Sequence, residues 1–227
     1  MKRWGRWVVV FATLGRFASA AAQSAADGPG LSARRPDEEP LADELRGNTG
    51  EVWKSFQDPI YKVSFRYPAN WTFSRKDGEI STFHLDARSA PRTARLRAVA
   101  AISENPFPAS TFSGAYVYLS VTPHSSAASC ARQALPPNPG KAKGSPVHVF
   151  GDIRFNYGHD EQKHICTTER DEVYTAYRRG SCYRFDLAIN NFCGGEVSGV
   201  KDISQKELDD VRGRMEAILG TVRFDAK

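Results

Sequence analysis

Four side chains able to bind a metal or move a proton lie close together in the chain: His159, Asp160, Glu161 and His164. Imidazole nitrogens and carboxylate oxygens suit a divalent cation, and water on such a cation is the nucleophile of a small metal-dependent hydrolase. The spacing alone fixes no geometry. On a helix, positions five apart point in different directions, so His159 and His164 are not a helical zinc pair. The competing reading is a polar surface loop ahead of a hairpin, and the local sequence favours it.

The cysteines say more. Cys130, Cys166, Cys182 and Cys193 are separated by stretches of 35, 15 and 10 residues. No C-x-x-C knuckle is present, which disfavours both a zinc site and a redox dithiol. Four cysteines in an exported chain imply two disulfides, with three possible connectivities. A hairpin chooses among them. Asp171–Arg178 and Ser181–Ile189 flank Arg179-Gly180, where Gly180 supplies the positive φ of a tight turn. If Arg178 faces Ser181, opposed numbers sum to 359, which sets Cys166 across from Cys193. A cross-strand separation of ~5.5 Å suits a bridge. Cys130 then joins Cys182 and ties a short helix to the sheet.

Other catalytic signatures are missing. There is no G-x-S-x-G elbow and no G-x-x-x-x-G-K-[ST] loop, and no cofactor is implied.

The first residues read as an address. Lys2, Arg3 and Arg6 precede an apolar run from Trp7 to Leu14, and Ala18-Ser19-Ala20 and Ala20-Ala21-Ala22 offer small residues for cleavage. This is the pattern of a signal peptide over 1–22, with a secreted or periplasmic product. The run is too short for a span of a ~30 Å hydrocarbon core, so no membrane span is expected. Without Lys2, Arg3, Arg6 and Arg16, the formal charge of +5 falls to 27 basic against 26 acidic side chains. A near-neutral protein lacks the dense basic surface that nucleic acid requires, so no nucleic-acid partner is expected. Residues 23–50, poor in large apolar side chains and punctuated by Pro29, Pro36 and Pro40, read as a flexible tether.

Residues 51–227 carry the fold. Tyr61, Val63, Phe65 and Tyr67 alternate with Lys62, Ser64 and Arg66, a half-buried strand. Further strands are expected over Trp71–Phe73, Glu79–Leu85, Ala115–Val121 and Val147–Tyr157; residues 94–102 fit helix or strand. Ser126–Ala134 reads as a short Ser-capped helix, and Leu135–Gly144 as a loop. Ser204-Gln205-Lys206-Glu207 is a capping box, followed by Leu208, Val211, Met215, Ile218 and Leu219 on one helical face. Gly220 is the natural stop and Thr221–Phe224 a closing strand. Strands with a late amphipathic helix imply an α+β domain: a central antiparallel sheet with helices packed on it.

Phe65-Arg66-Tyr67-Pro68-Ala69-Asn70-Trp71 has the form F-x-Y-P-x-x-W. It resembles the entry signature of the PsbP-like superfamily, and the closing helix with Thr221–Phe224 is similar to that family's C-terminal end. The resemblance implies one α-β-α sandwich over 51–227, with Trp71 as a core anchor. It also implies a binding or assembly role, by analogy of fold alone. The expectation is an exported, non-enzymatic module for an unknown protein or small-molecule partner, with Tyr116, Tyr118, Tyr174, Tyr177 and Tyr183 as candidate contacts. The alternative is the hydrolase built on His159, Asp160, Glu161 and His164.

Overall fold

A computed structural model describes residues 51–76, 80, 91–135, 145–164, 166–196 and 199–225, without the side chains of 162–164 and 196. All lie in one compact unit, Ala42–Lys227.

Alternation writes the first sheet. β1 (Trp53–Gln57) pairs antiparallel with β2 (Val63–Pro68), which also pairs with the short β10 (Arg223–Phe224). Val63, Phe65 and Tyr67 are buried, as their period of two requires. The turn into β3 (Thr72–Ser74) buries Trp71 in the main core, so packing accounts for this residue of the F-x-Y-P-x-x-W stretch. The second sheet runs β3-β4-β5-β9-β8-β7-β6, every pair antiparallel. Its further strands are β4 (Arg95–Ala101), β5 (Phe112–Thr122), β6 (Val147–Phe150), β7 (Ile153–His164), β8 (Thr167–Arg178) and β9 (Ser181–Phe192). The ambiguous residues 94–102 are therefore a strand. Pairing with β5 decides it, through a bulge between Leu96 and Ala98 that leaves Arg97 out of the ladder.

The β8–β9 hairpin follows the expected register over twelve positions, from Arg178 opposite Ser181 to Thr167 opposite Phe192. Arg179 and Gly180 both have positive φ, 48° and 75°, the signature of a two-residue turn matched to strand twist.

The expectations for residues 147–164 need correction. Residues 147–157 form two strands, because Gly151, at φ 61°, turns the chain between Phe150 and Ile153. Residues 159–164, read as a loop, continue β7 and pair with β8 from His159 opposite Glu172 to His164 opposite Thr167. Their polarity reflects a partly exposed strand end, where cross-strand hydrogen bonds replace the apolar alternation that marks a strand in sequence. The expected strand over Glu79–Leu85 lies outside the described residues, as does most of the loop over Leu135–Gly144.

One helix packs on each face of the large sheet. α1 (Ala127–Arg132) starts at Ser126, whose hydroxyl accepts from the Ser129 amide. It is tied to one face by the Cys130–Cys182 disulfide, with Cα atoms 5.2 Å apart, and by the Thr175 hydroxyl donating to the Cys130 carbonyl at 3.0 Å. α2 (Gln205–Gly220) has the full capping box between Ser204 and Glu207 and buries Leu208, Val211, Met215, Ile218 and Leu219. Gly220 is its last helical residue rather than a left-handed stop; Thr221 caps it in right-handed conformation. Those α2 side chains share one core with Phe65, Leu119, Phe155, Phe185 and Leu187. The expected antiparallel sheet with packed helices is present. It is more sheet-dominated than the sandwich implied by the resemblance, since α1 has only six residues.

The α1 face of the sheet carries a buried ion pair beside a small apolar cluster of Val99, Tyr118 and Ala188. Arg184 and Asp186, two residues apart on β9, form an ion pair at 1% and 0% side-chain exposure. Arg184 Nε donates to both Asp186 oxygens at 2.9 and 3.0 Å, while Nη1 reaches the Gln133 carbonyl at 3.1 Å. Guanidinium and carboxylate thereby satisfy each other where water is excluded.

Candidate functional site

The strand geometry of β7 decides what the His159 region can do. Successive side chains point to opposite faces, so His159 and Glu161 share the α2 face while Asp160 takes the other. Glu161 meets Arg170 across the ladder at 3.3 Å. The His164 side chain is outside the described residues. His159, Asp160 and Glu161 thus do not converge on one point. Among the described residues, no group of three or more His, Cys, Asp or Glu side chains could hold a metal ion.

His159 instead meets a residue that local sequence does not flag. Its Nδ1 lies 3.1 Å from Glu172 Oε1, directly opposite on β8. The Tyr157 hydroxyl donates to Glu172 Oε2. From α2, Arg212 Nη1 approaches Oε1 at 3.8 Å, while its Nη2 pairs with Asp209 one turn earlier. One step along β8, the Tyr174 hydroxyl donates to Glu216 Oε1 at 2.7 Å. The His148 ring lies 4.4 Å from that of Tyr157, closing the cluster on the β6 side.

Electrostatics follow from these contacts. Burial pushes the Glu172 carboxyl up, but hydrogen bonds from His159 and Tyr157 and the Arg212 charge outweigh it and hold the group below its ordinary value. The hydrogen bond to Glu172 raises the His159 pKa against the opposing effect of burial, with help from Glu172, Glu161 and Asp160. Burial, then the neighbouring carboxylates, push Tyr157 and Tyr174 far above the ordinary phenol value. Glu172 is therefore ionised and both phenols keep their protons at neutral pH. A general base needs an available lone pair and a pKa near the working pH. Both Glu172 oxygens are already engaged, and they join β7, β8 and α2.

Sequence reasoning missed Glu172, Tyr157 and Arg212, and named Tyr174 as an aromatic contact rather than as a partner of Glu216. The signal was a second register: opposed numbers on β7 and β8 sum to 331, as for His159 and Glu172. Reading it required recognising that the chain reverses between His164 and Thr167, with Cys166 at φ 60°. Of the five candidate contact tyrosines, Tyr118, Tyr174 and Tyr183 are buried and Tyr116 is half-buried, leaving Tyr177 at 39% exposure.

At the far end of the β8–β9 hairpin, the Cys193 amide donates to the Cys166 carbonyl at 3.1 Å. This extends the ladder to the two residues that the sum of 359 sets opposite each other. Among the described residues, no helix is long and apolar enough to cross a membrane.

No family model and no curated protein matches this chain. Solved structures resemble it at low identity. A cyanobacterial PsbP from Synechocystis sp. PCC 6803 aligns at TM-score 0.41 and 10% identity, over 79% of this chain and 98% of that one. LpqN of Mycobacterium tuberculosis, a protein described as involved in cell envelope biogenesis, aligns at TM-score 0.39 and 11% identity, over 80% and 95%. A Bacteroides thetaiotaomicron protein aligns at TM-score 0.43 and 13% identity; 77% of this chain spans about half, 49%, of it.

Proposed function

We propose that the chain is an exported, disulfide-reinforced binding or assembly module without catalytic activity. Residues 1–22 are its signal peptide, 23–50 its tether and 51–227 its PsbP-like domain, acting in the periplasm or outside the cell. The observation that carries the non-catalytic reading is the saturation of Glu172. Among the described residues, His159, Tyr157, Arg212 and Glu172 are spent on one another, and they hold two strands to a helix. Stability is the product of that arrangement, and turnover would require undoing it. Burial of a disulfide cysteine, Cys130, at the helix–sheet junction supports an oxidising destination.

The test is a mass measurement on protein recovered from the producing cell, under native and denaturing conditions. The expected result is an N-terminus close to residue 23 and a native mass equal to the polypeptide alone. A stoichiometric divalent metal that disappears in a His159→Ala variant would overturn the non-catalytic reading, and intact precursor confined to the cytosol would overturn export.

A further inference from the structure

At one end of the large sheet, four cations gather around one lining acid, Asp152. Lys62 stands just before β2, Arg178 and Arg179 lie at the β8–β9 turn, and Arg223 begins β10; together they line a cleft of about 490 Å³. Among the described residues, none of the four has a carboxylate within ion-pair distance, and Asp152, the lone acid in the lining, pairs with none of them. Like charges collected in a concavity focus the field and concentrate anions there.

The backbone fixes the turns that carry two of these cations. Lys62 and Arg179 have φ of 55° and 48°, in the left-handed region that glycine or asparagine occupies most easily. Lys62 is held there by a rigid turn. The buried Asp58 carboxylate accepts from the Ile60 and Tyr61 amides at 2.8 and 2.9 Å and pairs with Arg97 at 2.5 Å. The Asp58 carbonyl accepts from the Lys62 amide at 3.0 Å. Two cations thus project from turns of fixed geometry, and both line the same cleft.

The cleft walls are aromatic. Half-buried Tyr61 and Phe224 line it, and the Arg178 guanidinium sits 5.7 Å from the Phe224 ring centroid. The volume falls within the range of roughly 300–1,000 Å³ typical of small-molecule sites.

We propose that this cleft binds a small anion carried on a flat ring. Its phosphate or carboxylate is held by Lys62, Arg178, Arg179 and Arg223, and its ring packs against Tyr61 and Phe224. Guanidinium groups suit such oxyanions because they donate paired, charge-assisted hydrogen bonds. This assignment rests on the binding-module reading and adds to it a site and a ligand chemistry.

The experiment is calorimetric titration of the oxidised protein with phenyl phosphate, phenol and inorganic phosphate. Phenyl phosphate is expected to bind saturably and more tightly than either fragment, and more weakly as salt rises. The Arg178→Ala/Arg179→Ala variant is expected to lose about tenfold in affinity or more. Arg66→Ala, which removes a guanidinium outside this cleft, is expected to leave binding unchanged. Should the double variant fail to fold, Lys62→Gln and Arg223→Gln provide the same reading singly, each weakening binding several-fold. Phenol binding as tightly as phenyl phosphate, or full affinity in folded variants lacking these cations, overturns the proposal. So does an absence of saturable phenyl phosphate binding by the folded wild type; that result leaves the module reading to its own test of mass and metal content.

Discussion

Gly158 on β7 lies so close to the Ala134 carbonyl, just past α1, that a Cβ built on it would sit 1.5 Å from that oxygen. No side chain of any size fits there, so the absence of one is what lets the end of α1 lie flat on the sheet. Gly158→Ala is expected to push Ala134 away and destabilise the fold by about 1–3 kcal/mol. A urea melt should show a lower midpoint with little change in slope. An unchanged midpoint would mean that the end of α1 yields freely.

The His159–Glu172 contact makes stability depend on pH in a definite direction. The His159 pKa is raised in the folded state. Its contribution is therefore complete below the ordinary imidazole value of about 6.5 and is lost as pH climbs through the folded value. Glu172 is lowered, so its contribution is present above the ordinary carboxylate range and lost as pH falls through the folded value. The pair should give most between these limits. An NMR titration is expected to place the His159 ring above 6.5, and His159→Gln to flatten the alkaline side of the stability profile. An identical profile in the variant would remove His159 from the argument. His159 is well exposed, so the effect is screened and modest.

Arg184 and Asp186 offer a sharper contrast. Asp186→Ala takes the carboxylate away from a buried guanidinium and is expected to cost about 3–5 kcal/mol. Arg184→Met/Asp186→Leu removes both charges and should be less destabilised than the single variant, because no unpaired ion remains. Chemical denaturation of the two variants separates the outcomes. Equal losses would point to packing rather than charge.

A non-reduced peptide map tests the cysteines. The expected products are a Cys130–Cys182 linked fragment and, from the extended hairpin register, a Cys166–Cys193 fragment. Reduction of the first bridge, which spans 52 residues, is expected to cost about 2–4 kcal/mol. A Cys130–Cys166 fragment would contradict both the structure and the register.

The parts of the fold legible in the sequence were those in which one physical signal dominates. The Arg179-Gly180 turn fixed the hairpin register because only left-handed backbone closes so tight a loop. The Ser204–Glu207 box marked the start of α2 because it satisfies orphan amides by itself. The Ala-rich residues 94–102 were not decidable locally, since their strand state comes from β5. The candidate site was half visible. His159 could be singled out by type, but its partner Glu172 is thirteen positions away, and Arg212 arrives from a different element. Polar residues that pair across strands leave no periodic trace.

One arrangement near α1 also shapes how the chain reaches its native state. Thr122 at the end of β5 pairs with Cys182 near the start of β9, although sixty positions separate them. The hairpins β6–β7, β7–β8 and β8–β9 close locally; the β5–β9 pairing joins distant stretches and is the slow search in the assembly. Cys130 lies only a few residues after β5, so an early bridge to Cys182 would tether the two strands before they zip. Oxidised chains should therefore refold faster than reduced ones in a stopped-flow circular dichroism experiment. Matching rates would place the bottleneck elsewhere.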